Sequence, residues 1–159
     1  VVSDMGKLGL LDTMTTMVGS NAMEEPLYKL AGEASNHVLG AYPYAVFEED
    51  VPGMALLKQV SKKYRGEVVE SLYYLAGFNF MLISEEAIKR ALDKKGYPIT
   101  GADVYAQLEK MSEFSTGGLS GPITYSPTDR RGSHSLRICK MENGKVVPIS
   151  DWIRAPILE

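Results

Sequence analysis

The sequence predicts an α/β domain, and three observations predict it. Residues 134–141 alternate in period two and run into an Asn-Gly pair. Leu72, Ala76, Phe80, Ile83, Ala87 and Ala91 keep the three-and-four spacing of one long helix. The first 46 residues pass from a β-rich run to a helical pattern and back. With 159 residues and 45% hydrophobic content, the chain has the length of one ordinary domain and enough apolar material for a core.

Each element has a local reason. Thr13–Val18, "TMTTMV", is rich in β-formers and reads as a short buried strand. Gly19, Ser20 and Asn21 follow as a loop. "EEPLYKLAGEAS" has acids and Pro26 in its first turn, both favourable at a helix start, with Leu27, Leu30, Ala31 and Ala34 on one face. "HVLGAYPYAV" reads as a strand and "FEEDVPG" as a connector. A helix from Met54 carries Leu57, Val60 and Tyr64 until "RGE" breaks it. The long helix runs from about Val68 to Leu92 and stops at "KKGYP", where Gly96 is the C-cap. Thr100 caps a third helix bearing Val104, Leu108 and Met111, and "STGGLSGP" is a Gly/Ser loop. The Asn143-Gly144 pair suits a two-residue turn with positive φ at both positions. Pro148 lacks an N–H, which places the second strand of that hairpin at a sheet edge.

Composition excludes several classes. Charged residues are 23% of the chain, which argues against disorder. A net charge of −3 without a basic block disfavours nucleic acid or an anionic membrane as the main partner. Cys139 is the only cysteine, so no internal disulfide forms. The apolar run "FNFMLI" is interrupted by Asn79 and is too short to span a bilayer. His37, His134 and Cys139 have no metal-ligand spacing. "TGGLSG" lacks the Lys-Ser/Thr of a P-loop, and no G-x-S-x-G elbow occurs. Glu85 and Glu86 with Lys89 and Arg90 read as a solvated helix face. "DRR" at 129–131 reads as a loop ion pair, with anion binding as the alternative. The chain opens on Val1 without the basic and apolar regions of a signal peptide, and reads as an interior segment of a longer protein or of a mature form.

"PLYKLAGEASNHVLGAYPY", "YLAGFNFMLISEEAIKRALDKKG" and "GPITYSPTDRRGSHSLRICKMENGKVVPISDW" resemble the C-terminal part of type I periplasmic substrate-binding proteins, in the branch of branched-chain amino-acid ABC transporters and extracellular ligand-binding receptors. The likeness extends over nearly the whole chain. Its most specific part is the ending. Arg130 stands where family members often carry His, and Phe78 where Trp is common. The resemblance implies part of a fold with two α/β lobes, each a Rossmann-like parallel sheet with flanking helices, closing in a β-hairpin. It assigns 1–45 to the remainder of a second lobe and 46–120 to a hinge crossing with helices of a first lobe. Residues 121–159 are then the return crossing and the terminal hairpin.

Ligands of open α/β sheets sit beyond the carboxyl ends of strands, which makes Ser20 and Asn21 candidate contacts. A helix cap is the competing reading. In the family this loop touches the ligand. Some amino-acid binders carry near Ser20 a Glu that pairs with the ligand's ammonium, and its absence weakens the case for an α-amino acid. Tyr73, Tyr74 and Phe78 offer aromatic surface for an apolar or aromatic ligand, with core packing as the alternative. The resemblance implies the solute-binding component of an ABC importer. Such a protein holds a small organic solute, an amino acid or an aromatic or carboxylate compound, in an interlobe cleft without chemistry or cofactor. It works with the importer's permease in a periplasmic or extracellular setting. The alternatives are a ligand-sensing domain of a regulator or receptor with the same fold, and a small hydrolase. Apolar stripes on the helices from Met54 to Met111 predict self-association of the 159-residue chain and poor solute binding by it alone.

Overall fold

The structure, a computed structural model, describes residues 1–156. In chain order its elements are α1 (Val2–Lys7), β1 (Thr16–Gly19), a 3₁₀ turn (Ser20–Ala22), α2 (Glu25–Ala31), a second 3₁₀ turn (Gly32–His37), β2 (Val38–Tyr42), α3 (Pro52–Arg65), α4 (Leu72–Lys95), α5 (Gly101–Leu108), β3 (Ile123–Thr124), β4 (Gly132–Ser133), β5 (Ser135–Glu142), β6 (Lys145–Pro148) and β7 (Ile153–Arg154). The chain divides into two compact units. One comprises Val1–Val46 with Leu136–Ile153; the other comprises Phe47–Ser135 with residues 154–156.

The first unit is built on a sheet in the order β1-β2-β5-β6. β1 and β2 are parallel, with Thr16 level with Val38 and Gly19 with Ala41. β2 and β5 are antiparallel, with Tyr42 level with Arg137. Along β5, Ser135, Arg137, Cys139 and Met141 are buried and alternate with half-buried Leu136, Ile138 and Lys140, as period two requires. β6 ends the order, the edge position that Pro148 demands. β1 starts later than expected and is not buried. Leu10 O accepts the N–H groups of Thr13 and Met14 and the Thr13 hydroxyl, so those residues turn before pairing begins. As the other end of the strand order, β1 leaves Met17 54% exposed. α2 is also shorter than the apolar pattern suggested. It stops at Gly32, at φ +56°, and leaves Leu30 exposed.

Asn143 and Gly144 have φ +50° and +85°, as the turn chemistry predicts. Asn36 reinforces the turn by accepting from Asn143 N at 2.8 Å. A Cβ on Gly144 would lie 3.2 Å from Tyr28 Cδ1, so a side chain there meets both backbone strain and a neighbour. We expect Gly144→Val to lose about 1–3 kcal/mol of stability, read from urea unfolding. A neutral substitution would show that the hairpin tolerates another turn.

The second unit is mainly helical, with the short hairpin β3–β4. α3 begins at Pro52 and ends at Gly66 in the left-handed region. α4 starts at Leu72 rather than near Val68. Buried Ser61 donates to Glu67 O and accepts from Val69 N, which holds that stretch out of a helix. Ser71 then caps α4 by accepting from Tyr73 N. The inward stripe of α4 is Leu72, Leu75, Asn79, Ile83, Ala87 and Ala91. Phe80, expected inside, is 59% exposed and Asn79 takes the buried place, accepting from Ser120 Oγ at 3.4 Å. Thr100 and Asp103 form a reciprocal capping box on α5. α5 ends at Leu108, yet Met111 still enters a cluster with Ile83, Ala87 and Ile123.

Candidate functional site

Ser20 and Asn21 occupy the turn directly beyond the carboxyl end of β1, in the first unit. Ser20 is half-buried and Asn21 exposed. Neither serves as a helix cap. The residues at the two cap positions are Gly19 and Glu24, and neither side chain makes a capping bond. The turn is closed by its backbone, with Met23 N donating to Ser20 O at 2.9 Å.

Tyr73, Tyr74 and Phe78 stand on the first turns of α4, in the second unit. Leu72, Leu75 and Asn79 face inward there, and Tyr74 and Phe78 flank that stripe half-buried. At about 100° per residue, Tyr74 and Phe78 share a face while Tyr73 lies a quarter-turn or so away. Tyr73 is 59% exposed. Aromatic rings that border a core while keeping accessible surface can contact an apolar solute.

Two further arrangements lie in the second unit, and sequence reasoning found only part of one of them. The first is a cavity of about 370 Å³ whose lining includes Pro52, Leu56, Leu82, Phe114 and the ion-paired Glu85 and Lys89, 2.7 Å apart. The second is a buried polar cluster. Asp129 accepts from Arg131 Nε and Nη2 at 3.0 and 2.5 Å and pairs with His134 Nε2 at 2.9 Å. The Arg131 guanidinium, with help from His134, holds the Asp129 carboxyl well below the usual carboxylate range. The loop ion pair read from "DRR" is therefore Arg131 with Asp129, while Arg130 turns to Glu109 at 3.2 Å and stacks on Tyr105. Among the described residues no group of three or more His, Cys, Asp or Glu could hold a metal ion. No described helix is long and apolar enough to cross a membrane.

The family model for periplasmic binding proteins matches residues 1–145. The chain belongs to the periplasmic binding protein family. Among solved structures, this periplasmic binding protein is similar to a branched-chain amino-acid ABC transporter protein from Thermus thermophilus with bound valine. The two share 28% identity at a TM-score of 0.83, over 97% of this chain and 42% of that one. An ABC transporter substrate-binding protein from Aeropyrum pernix matches at 24% identity and TM-score 0.76, over 98% of this chain and 41% of that one. A fatty-acid ABC transporter substrate-binding protein from Thermomonospora curvata matches at 17% and 0.74, over 97% and 41%. The last two likenesses are of fold alone. The chain spans about two fifths of the length of each of these solved relatives. No curated protein matches it.

Proposed function

We propose that this chain is part of the solute-binding component of an ABC importer, acting outside the cytoplasmic membrane and delivering its solute to a permease. The likeness to the valine-bound Thermus thermophilus protein supports this reading most directly, because it joins 28% identity to a TM-score of 0.83 over 97% of the chain. The solute is a small organic molecule with an apolar body, an amino acid or an aromatic or carboxylate compound. Tyr74 and Phe78, with Tyr73 beside them, suit the apolar body. Ser20 and Asn21, beyond the end of β1, are polar groups at the strand end where ligands of open α/β sheets bind. The solute is bound and released unchanged.

The test is a thermal-shift screen of the complete gene product against valine, leucine, isoleucine, other amino acids, and aliphatic and aromatic carboxylates. A true solute present at a hundred times its Kd adds about 2.7 kcal/mol to the native state. Tyr74→Ala should abolish most of that shift while changing the ligand-free melting temperature much less. Equal losses would mark Tyr74 as packing only. A panel without any shift, or one whose members are chemically converted, would overturn the reading.

A further inference from the structure

We infer that Asn143 is a modification site: it loses its side-chain amide through a cyclic imide formed with Gly144, and the folded hairpin sets the rate by holding the reacting atoms apart. Asn143-Gly144 is the only Asn-Gly pair in the 159 residues. Glycine carries no side chain to hinder attack by its own amide nitrogen, so the reaction is fastest at such a pair. Asn143 is exposed at the tip of the hairpin, open to the water that the reaction consumes.

The chemistry balances with water as the only co-reactant. Gly144 N attacks Asn143 Cγ and forms a C–N bond. The Cγ–Nδ2 bond breaks, and Nδ2 leaves as ammonia with the proton that Gly144 N gave up. Water then opens the five-membered imide at one of its two carbonyls. Opening at Cγ leaves aspartate. Opening at the backbone carbonyl carbon of Asn143 leaves isoaspartate, whose main chain runs through Cβ and Cγ. Either product puts a carboxylate beside Glu142, and isoaspartate also adds one atom to the main chain of the turn.

The native turn opposes the first bond. Asn143 and Gly144 have φ +50° and +85°, and Glu142 pairs directly with Lys145, which is the two-residue loop of a type I′ turn. An L-residue brings the next nitrogen level with its Cβ only at ψ of about −120°, whereas the first central residue of a type I′ turn has ψ of about +30°. Gly144 N is thus turned away from Cγ, and the tip of the hairpin must open before the ring closes. Two neighbours in the same unit resist that opening. Asn36 makes a reciprocal amide pair: its Oδ1 accepts from Asn143 N at 2.8 Å, and its Nδ2 donates to Asn143 Oδ1 at 3.3 Å. The second of these bonds fixes the group that must rotate toward Gly144 N. Tyr28 lies against Gly144, with Cδ1 3.2 Å from where a Cβ would stand. The local sequence supplies the reactive pair, and a residue 107 positions away restrains it.

Incubation of the complete gene product, followed by tryptic digestion and mass spectrometry, tests this. Cleavage after Lys140 and Lys145 releases residues 141–145. Conversion adds about 1 Da to that peptide, and its aspartate and isoaspartate forms separate by chromatography. In urea, where the hairpin is open, the peptide should convert within days. In the native protein it should convert at least about tenfold more slowly, because only the opened tip reacts. Asn36→Ala, kept well below its urea midpoint, should raise the native rate about threefold or more by removing two hydrogen bonds from the closed turn. Its rate in urea should equal the wild type's. If that variant does not fold, the wild-type comparison of native protein with urea decides alone. Equal rates in those two conditions would overturn the proposal, since the fold would then give no protection. So would a folded Asn36→Ala protein that reacts no faster than the wild type, or a 141–145 peptide that stays unconverted in urea.

Discussion

Gly53→Ala is expected to be among the most damaging single methyl groups that can be added to this chain. Gly53 lies in the first turn of α3, where its N–H donates to Gly117 O at 2.8 Å. A Cβ there would sit 2.4 Å from Thr116 O, 2.6 Å from Leu119 Cγ and 3.0 Å from Gly117 O. Two of those three atoms are backbone and cannot rotate away. Gly117 answers from the other side: its own Cβ would fall 2.6 Å from Gly53 N, and its φ of +71° already favours glycine. Relief requires moving the start of α3 off the 116–119 segment, which contains buried Thr116 and Leu119. Overpacking typically costs about 1–3 kcal/mol, and a clash against fixed backbone belongs at the upper end of that range. Urea unfolding measures it, with Gly101→Ala as the control. Gly101 opens α5 with nothing within 4 Å of its Cβ position, so that change should be neutral or slightly stabilising. A loss at Gly53 below about 1 kcal/mol would show that the loop shifts freely and that the close approach is incidental.

That contact also shows what a sequence conveys and what it withholds. Gly53 and Gly117 are far apart in the chain, and neither neighbourhood hints that the two backbones touch. The terminal hairpin is the opposite case. Ser135 to Met141 alternate without a break and Asn143-Gly144 follows directly, so strand, turn and edge position could all be read locally. The caps at Gly66, Ser71, Gly96 and Thr100 have the same local logic, although Ser71 was missed because Val68 and Val69 continue the apolar pattern into it. On α4 the period was right and the face was off at two steps, where Leu75 and Asn79 face inward in place of Ala76 and Phe80. Asn79 and Phe80 are neighbours, and only the hydroxyl of Ser120, far along the chain, makes the buried place polar. β3 and β4 have two residues each, too few for any period to show. In the candidate site, the position of Ser20 and Asn21 followed from a strand read to end at Val18, and the helical placement of the three aromatics from α4. Their degree of exposure did not follow, because it depends on which side of α4 the rest of the fold covers. The Asp129 cluster was half legible: "DRR" announced an ion pair, but which arginine takes part depends on the β3–β4 hairpin.

That cluster supports the last expectation, that Asp129→Asn weakens the protein strongly at neutral pH and much less in acid. The Asp129 carboxylate receives Arg131 N, Nε and Nη2 and His134 Nε2, and its own N–H donates to Ser126 Oγ at 2.9 Å. Asp129 and His134 are both buried, and the residues they hold anchor the chain further on. Ala155 N donates to His134 O at 2.7 Å, Arg131 Nη2 reaches Pro156 O at 3.4 Å, and neighbouring Arg154 pairs with Glu113. An asparagine keeps the shape but loses the charge. Its amide nitrogen also presents hydrogens to donors already aimed at that oxygen, leaving Arg131 or His134 without an acceptor. The sign of the pH effect follows from linkage. The native Asp129 carboxyl ionises below the ordinary range, whereas in the unfolded chain it titrates near the usual aspartate value of about 4. Between those values the unfolded state binds more protons, so stability rises with pH through that window and is flat above it. Asp129 thus contributes fully above about pH 5, and its contribution is lost as the pH falls toward the native pKa. Urea midpoints of the wild type and Asp129→Asn at neutral pH and at about pH 3 measure this, and the difference between the two proteins should narrow in acid. Glu113 and Asp103 are also acidified, by Arg154 and Lys95, but both remain in the variant and cancel from that difference. A gap that stays constant with pH, or no gap at neutral pH, would show that the charge of Asp129 does not hold the hairpin.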